Sequence, residues 1–278
     1  KLLYVFVLFF LTATSWGQSV SQYAYSVGTE TYAQITGANS TAIGDDGTQT
    51  DISFGFTFKF GGVDYTKFGI STNGIIRLGT NASTTTFSSA HTNSFSTSNA
   101  NIPLIAAFWD DNNLSSGTIR YSLTGTAPNQ VMTINWHNTK VGGSGATTDS
   151  SVSFLIRLYE TTNVVELVYG ATISSMNSIS ASVGLNDLSS FLSLTPGSPF
   201  TSSSSTANNS ISSSTMTSLG GKKITFTPPT PCSGTPTAGT ISIANQYLCS
   251  GATVPNLVNT GFSSGVTGIT FQWEQSTD

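Results

Sequence analysis

The sequence predicts an all-β protein: an antiparallel β-sandwich, followed by the beginning of a second β-domain. Three observations carry this. Apolar residues alternate with polar ones in short runs, the period of a half-buried strand. Those runs are separated by Gly-Gly, Asn-Gly, Pro-Asn and Ser-Gly steps, the chemistry of tight turns. The composition suits strands and turns: 87 of 278 residues are Ser or Thr, and only 8% are charged. Glu, Lys and Arg are too few for long charged helices, and the 11% aromatic content and low charge are unlike a disordered chain. A net charge of −4 leaves no basic surface for nucleic acid, and two cysteines cannot build a disulfide-dense scaffold.

Taken in order, Lys1 precedes an unbroken apolar run, Leu2 to Leu11, and small residues lead to Ser15-Trp16-Gly17 before Gln18. A basic start, a short apolar core and small residues at the −3 and −1 positions are the pattern of a secretory signal peptide over residues 1–17. The run is shorter than the roughly 20 residues that span a bilayer, and no later run is longer, so no transmembrane segment is expected. The mature domain is expected over residues 18–227. Its clearest strand is Asp51–Phe60, with Ile52, Phe54, Phe56, Phe58 and Phe60 on one face, turned around by Gly61-Gly62. Tyr65–Ile70 and Ile75–Leu78 flank Asn73-Gly74, the strongest short hairpin signal. Further strands are expected at 102–109, 117–123, 130–137, 151–160, 163–169, 181–185 and 223–226. Many short strands at regular spacing indicate a sandwich. Two stretches poor in complexity, 80–101 and 201–218, are expected as polar surface loops, with Phe87 and Phe95 as anchors in the first.

Pro228-Pro-Thr-Pro231 is expected as a stiff linker. Beyond it, Cys232 on an early strand and Trp273 on a later one begin an immunoglobulin-like β-sandwich over residues 232–278. About three strands fit there where about seven are needed, so that domain is expected to be truncated. Cys232 and Cys249 pair either with each other or with cysteines further along.

Three stretches occur in a familiar order: Ser71-Thr-Asn-Gly-Ile-Ile-Arg-Leu-Gly79, Pro103-Leu-Ile-Ala-Ala-Phe-Trp-Asp-Asp111, and Ser153-Phe-Leu-Ile-Arg-Leu-Tyr-Glu160 with Val164-Val-Glu-Leu-Val-Tyr169. Between them lie Gly117-Thr-Ile-Arg-Tyr121 and Met132-Thr-Ile-Asn-Trp136. Over residues 23–227 this resembles the N-terminal β-sandwich module of large secreted proteins of Bacteroidota, and more distantly the nidogen-type extracellular module. The tail resembles the immunoglobulin-like repeats that follow in such proteins. The resemblance implies a secreted or cell-surface protein exported by the type IX route, and it leans toward partners for the two cysteines beyond the sequence.

The chemistry-bearing residues are few. Asp110-Asp111-Asn112-Asn113 follows a strand, and Asp45-Asp46-Gly47 lies on another loop. The ordinary role of such turns is to cap backbone N–H groups. The alternative is a calcium site using Asp110, Asp111 and Asp45, since Ca²⁺ takes 6–8 oxygen ligands. No other cofactor is expected. His91 and His137 stand alone, without the three ligands of a catalytic zinc. No Gly-x-Ser-x-Gly elbow occurs. Glu160 and Glu166 flank the Thr161–Asn163 turn, where a solvated rim is expected instead of a glycosidase pair. Trp109, Trp136, Tyr121, Tyr159 and Tyr169 fall on strands, where aromatics pack into the core or, if exposed, stack on sugars. The reading is a non-catalytic, secreted or cell-surface adhesion module at the N-terminus of a larger protein, with an extracellular glycan or surface protein as partner. The alternative is an accessory, carbohydrate-binding domain of a secreted peptidase or polysaccharide hydrolase whose catalytic domain lies beyond Asp278.

Overall fold

The computed structural model describes residues 18–142, 151–171, 179–230, 240–241 and 259–261. The segment expected as a signal peptide, and Cys232, Cys249 and Trp273, lie outside the described residues. The chain divides into two units, Lys1–Pro229 and Thr230–Asp278. In the second, Thr240–Ile241 pairs antiparallel with Asn259–Thr260.

The first unit is a two-sheet antiparallel sandwich, as expected. Its strands are β1 (Ala24–Thr29), β2 (Ala38–Asn39), β3 (Gly44–Asp45), β4 (Thr48–Phe60), β5 (Val63–Ser71), β6 (Ile75–Gly79), β7 (Leu104–Trp109), β8 (Asn112–Leu114), β9 (Thr118–Thr124), β10 (Val131–Val141), β11 (Val152–Tyr159), β12 (Val165–Tyr169), β13 (Ser182–Asn186), β14 (Phe191–Thr195), β15 (Thr201–Ser203) and β16 (Lys222–Thr227). Sheet one runs β1-β16-β12-β11-β10-β8-β3, with β9 also on β10 and β2 on β9. Sheet two runs β15-β14-β13-β7-β6-β5-β4. β10 serves two neighbours because it is bulged between Trp136 and Thr139, where Asn138 takes a positive φ of 54°. Its first seven residues pair with β9, and Lys140 and Val141 pair with β8. That bulge aims β8 and β3 at one end of the sandwich.

Alternation in β4 is met in full: Ile52, Phe54, Phe56, Phe58 and Phe60 are buried, while Ser53, Gly55 and Thr57 face solvent. Burying each such side chain contributes roughly 1.5–3 kcal/mol. Gly61 and Gly62 both take positive φ, which glycine reaches without strain, and they close the β4–β5 hairpin. Two core aromatics also join the sheets by hydrogen bonds. The Trp136 indole N–H donates to Ser71 O at 3.0 Å, and Tyr169 OH donates to Ala107 O at 2.7 Å. Trp136 stacks on Phe154 with ring centroids 5.2 Å apart.

The outer faces are not bare. Over sheet two, Ile75, Leu104, Ala106 and Trp109 form a second apolar cluster with Ala90 and Phe95 from the 80–101 loop. The Trp109 indole donates to Ala90 O at 2.6 Å. The 201–218 stretch corrects its expectation as a polar surface loop. It holds β15 and a short helix, α1 (Ser213–Met216), and it buries Ile211 and Met216. Its serines hid the anchors, since two or three apolar residues suffice to dock a loop. Asn93 and Asn209 tie the two stretches together, with Asn93 Nδ2 donating to Asn209 O at 3.1 Å and Asn209 Oδ1 accepting from Phe95 N at 3.0 Å. Over sheet one, residues 30–37 cross as a strap between β1 and β2. Glu30 meets Arg157, Tyr32 OH accepts from Asn135 Nδ2 at 2.9 Å, and Ile35 N donates to Asn135 Oδ1 at 3.3 Å. Leu155 and Val168, which alternate away from the inner core, are buried on the strap's side of the sheet, where Leu155 opposes Asn135.

Candidate functional site

The end of the sandwich where β3 meets β8 gathers the acidic residues. β3 pairs with β8 so that Asp45 opposes Asn113 and Gly44 opposes Leu114. Asp111 sits in the bend just before β8, next to this pair. Asp46, at φ 55°, turns its carboxylate to the same point. Oxygens of Asp45, Asp46 and Asp111 all lie within 4.8 Å of one another. Asp45 and Asp46 are exposed and Asp111 is half-buried.

The loops are held by Asn73, a buried residue of the β5–β6 turn. Its Nδ2 donates to Asp46 Oδ1 at 2.7 Å, and its Oδ1 accepts from Asn112 N at 2.7 Å. Gly74 lets that turn approach β7. It has φ 76°, and a Cβ placed on it would lie 1.9 Å from Phe108 O. Three carboxylates so close repel one another. Burial, and then the charges of Asp45 and Asp46, hold the Asp111 carboxyl above its usual range. His91 lies beside them, its Nδ1 3.3 Å from Asp46 Oδ2. Lys140 opposes Asn113 across the strands but forms no ion pair among the described residues. An all-oxygen set of this kind suits a hard cation.

Asp110 does not join the cluster. Alternation turns it inward, where its Oδ1 accepts from Asp111 N at 2.8 Å and its Oδ2 from Ser180 N at 2.9 Å. It is buried, and burial pushes its carboxyl up against those bonds. The capping role therefore falls to Asp110, while Asp111 and Asp45 are brought together with Asp46.

The remaining candidates are structural. His137 sits beside the strap, its Nδ1 3.0 Å from Tyr32 OH and its ring stacked on Tyr32. The expectation of a solvated rim fails for Glu166, which is buried and meets Arg157, Lys223 and the Tyr159 hydroxyl. Glu160 instead accepts from Gln130 N at 3.0 Å. Trp109, Trp136 and Tyr169 are fully buried, so they offer no face to a sugar.

This sandwich is matched over residues 22–228 by the model of a family described as NIDO-related. The chain belongs to the NIDO-related family. No curated protein and no solved structure matches it. NIDO-related domains are non-catalytic modules of extracellular type, in keeping with the nidogen-type resemblance of its motifs. No helix among the described residues of this NIDO-related chain is long and apolar enough to cross a membrane.

Proposed function

We propose that this NIDO-related domain is a binding module of a secreted or cell-surface protein, used for adhesion, with its β3–β8 end tied by calcium. The observation that supports it is the convergence of Asp45, Asp46 and Asp111 from two loops that Asn73 holds in place. A Ca²⁺ ion there takes carboxylate oxygens from both loops and offsets their mutual repulsion, and water completes its 6–8 ligands. The module then presents a rigid end to an extracellular glycan or surface protein. The Bacteroidota origin and type IX export implied by the motif resemblance, and the signal peptide over residues 1–17, belong to the same reading.

Thermal melts in calcium and in chelator test the site. An ion that binds only the folded state adds about 2.7 kcal/mol at a hundredfold excess over its dissociation constant. Millimolar Ca²⁺ is expected to raise the melting temperature, and Asp45→Asn with Asp111→Asn is expected to remove that increment. Equal melts in calcium and chelator refute the site. Binding of the protein to extracellular glycans and to whole cells, compared in calcium and chelator, tests the adhesive role. Binding absent under both conditions refutes it.

A further inference from the structure

An edge strand leaves every second backbone N–H and C=O unpaired, and most proteins blunt their edges. Here β2 and β3 are two residues long and β15 three. β4 is long but carries two register shifts, positive φ at Asp51 and Gly55, and Asp51 and Lys59 in ion pairs. Bulges, charges and short length are the devices that spoil an edge as a template. β1 has none of them. Its six residues keep one register with β16 and include no charge and no proline.

The register tells which groups are free. Glu30 N donates to Gly221 O, continuing the ladder, so Ala24, Ser26 and Gly28 pair with β16. The backbone groups of Tyr25, Val27 and Thr29 therefore point outward. Beside this edge runs a groove of about 600 Å³ whose lining includes Val27, Pro199, Phe200 and Lys222. Tyr25 OH donates to Phe200 O at 3.0 Å and fixes the far wall. Val27 is 37% exposed there. Lys223 is paired with Glu30 and Glu166, but Lys222 has no ion pair among the described residues.

We propose that β1 is a docking edge for an extended acidic segment of another polypeptide. The segment adds as a strand beside β1 through the outward groups of Tyr25, Val27 and Thr29. Its alternate side chains enter the groove, apolar ones on Val27, Pro199 and Phe200, and a carboxylate on Lys222. A second copy of this chain fits less well, because β1 brings no carboxylate and would leave Lys222 unanswered. The proposal rests on the binding-module reading and gives it a partner class, but it is independent of calcium.

The test uses the full chain and a synthetic ten-residue peptide alternating threonine with valine, with two valines replaced by glutamate. Amide exchange should slow at Tyr25, Val27 and Thr29 on adding peptide and stay unchanged at Ser26 and Gly28, which already pair inward. Val27→Pro removes an outward N–H that no β16 bond uses, so the fold should survive and the protection should vanish. Lys222→Glu provides a second readout. The wild type should prefer the glutamate peptide over its lysine counterpart by about two- to fivefold, the scale of an exposed ion pair, and Lys222→Glu should reverse that order. Three results overturn the proposal: no alternating protection at millimolar peptide, protection that survives Val27→Pro, or the same protection arising from self-association without peptide. None of them alters the calcium increment, so a failure here is distinct from a failure of the loop site.

Discussion

Gly74 shows how much one residue can decide. Its φ of 76° is the left-handed region, and the Phe108 carbonyl occupies the place of a side chain. Strain at such a position costs about 1–3 kcal/mol and overpacking about 1–3 more. Gly74→Val is therefore expected to lower stability by about 2–6 kcal/mol in denaturant unfolding, and an unchanged midpoint would show that the turn yields. The neighbouring aspartates separate by the same logic. Asp110→Ala removes the acceptor of the Asp111 and Ser180 N–H groups, which are only partly buried, so it should cost about 1–3 kcal/mol in all, with no effect on any calcium increment. Asp111 behaves oppositely. Its folded pKa is raised, so its ionised form weakens the fold above that pKa, and the deficit is relieved as pH falls through it. In chelator at pH 7, Asp111→Asn should raise the melting temperature, and it should gain nothing from calcium. Asp111 was legible in the sequence as one of two adjacent aspartates, but which of the two faced outward was not, because strand alternation must first have a register.

At the scale of elements, the strap over sheet one hangs on Glu30. Its carboxyl is held below the usual range, first by the hydrogen bond from Arg157 and then by the nearby cations Arg157 and Lys223, against the opposing effect of burial. A depressed carboxylate contributes stability that is present above its unfolded pKa of about 4.3 and lost as pH falls through the lower folded value. The protection of the Ile35 amide, which donates to Asn135, measured against its intrinsic exchange rate at each pH, should therefore fall below about pH 4. Glu30→Gln should show the lower protection already at pH 7 and lose the acid dependence. Exchange equally slow in wild type and variant would mean that Tyr32 and Ile35 hold the strap alone. The strap itself left no periodic signal, since segments of this kind are fixed by side chains on a sheet distant in sequence. β14 carries no clear strand signal for a related reason: Phe191-Leu-Ser-Leu-Thr195 is short and sits among serines, and its partners β13 and β15 set its identity as a strand.

Over the whole molecule, the first unit closes its own core. Phe54, Phe58, Trp136, Phe154, Tyr169 and Phe226 are fully buried within residues 18–229. A fragment of residues 18–230 is expected to unfold in one cooperative transition, with near-ultraviolet circular dichroism and tryptophan fluorescence giving the same midpoint. Separate midpoints for the two probes would show that the loop layer around Trp109 melts independently of the core around Trp136.

Sequence patterning is enough to specify the sandwich, most of its strands, the hairpins at Gly61-Gly62 and Asn73-Gly74, and the family resemblance. These depend on local signals: a two-residue period, and turn residues that tolerate positive φ. The tertiary structure alone decided which carboxylates meet, which aromatics are hidden, and which edge is open. Asp46 joins Asp45 and Asp111 because β3 pairs with β8 and Asn73 bridges their loops, contacts between residues up to 66 apart in the chain. Trp109 is covered by a loop whose composition reads as surface, and β1 is open because, among the described residues, no strand pairs with it beyond β16. Local patterns specify strands, whereas a site is a meeting of strands, and the register that makes them meet is fixed by packing across the whole fold.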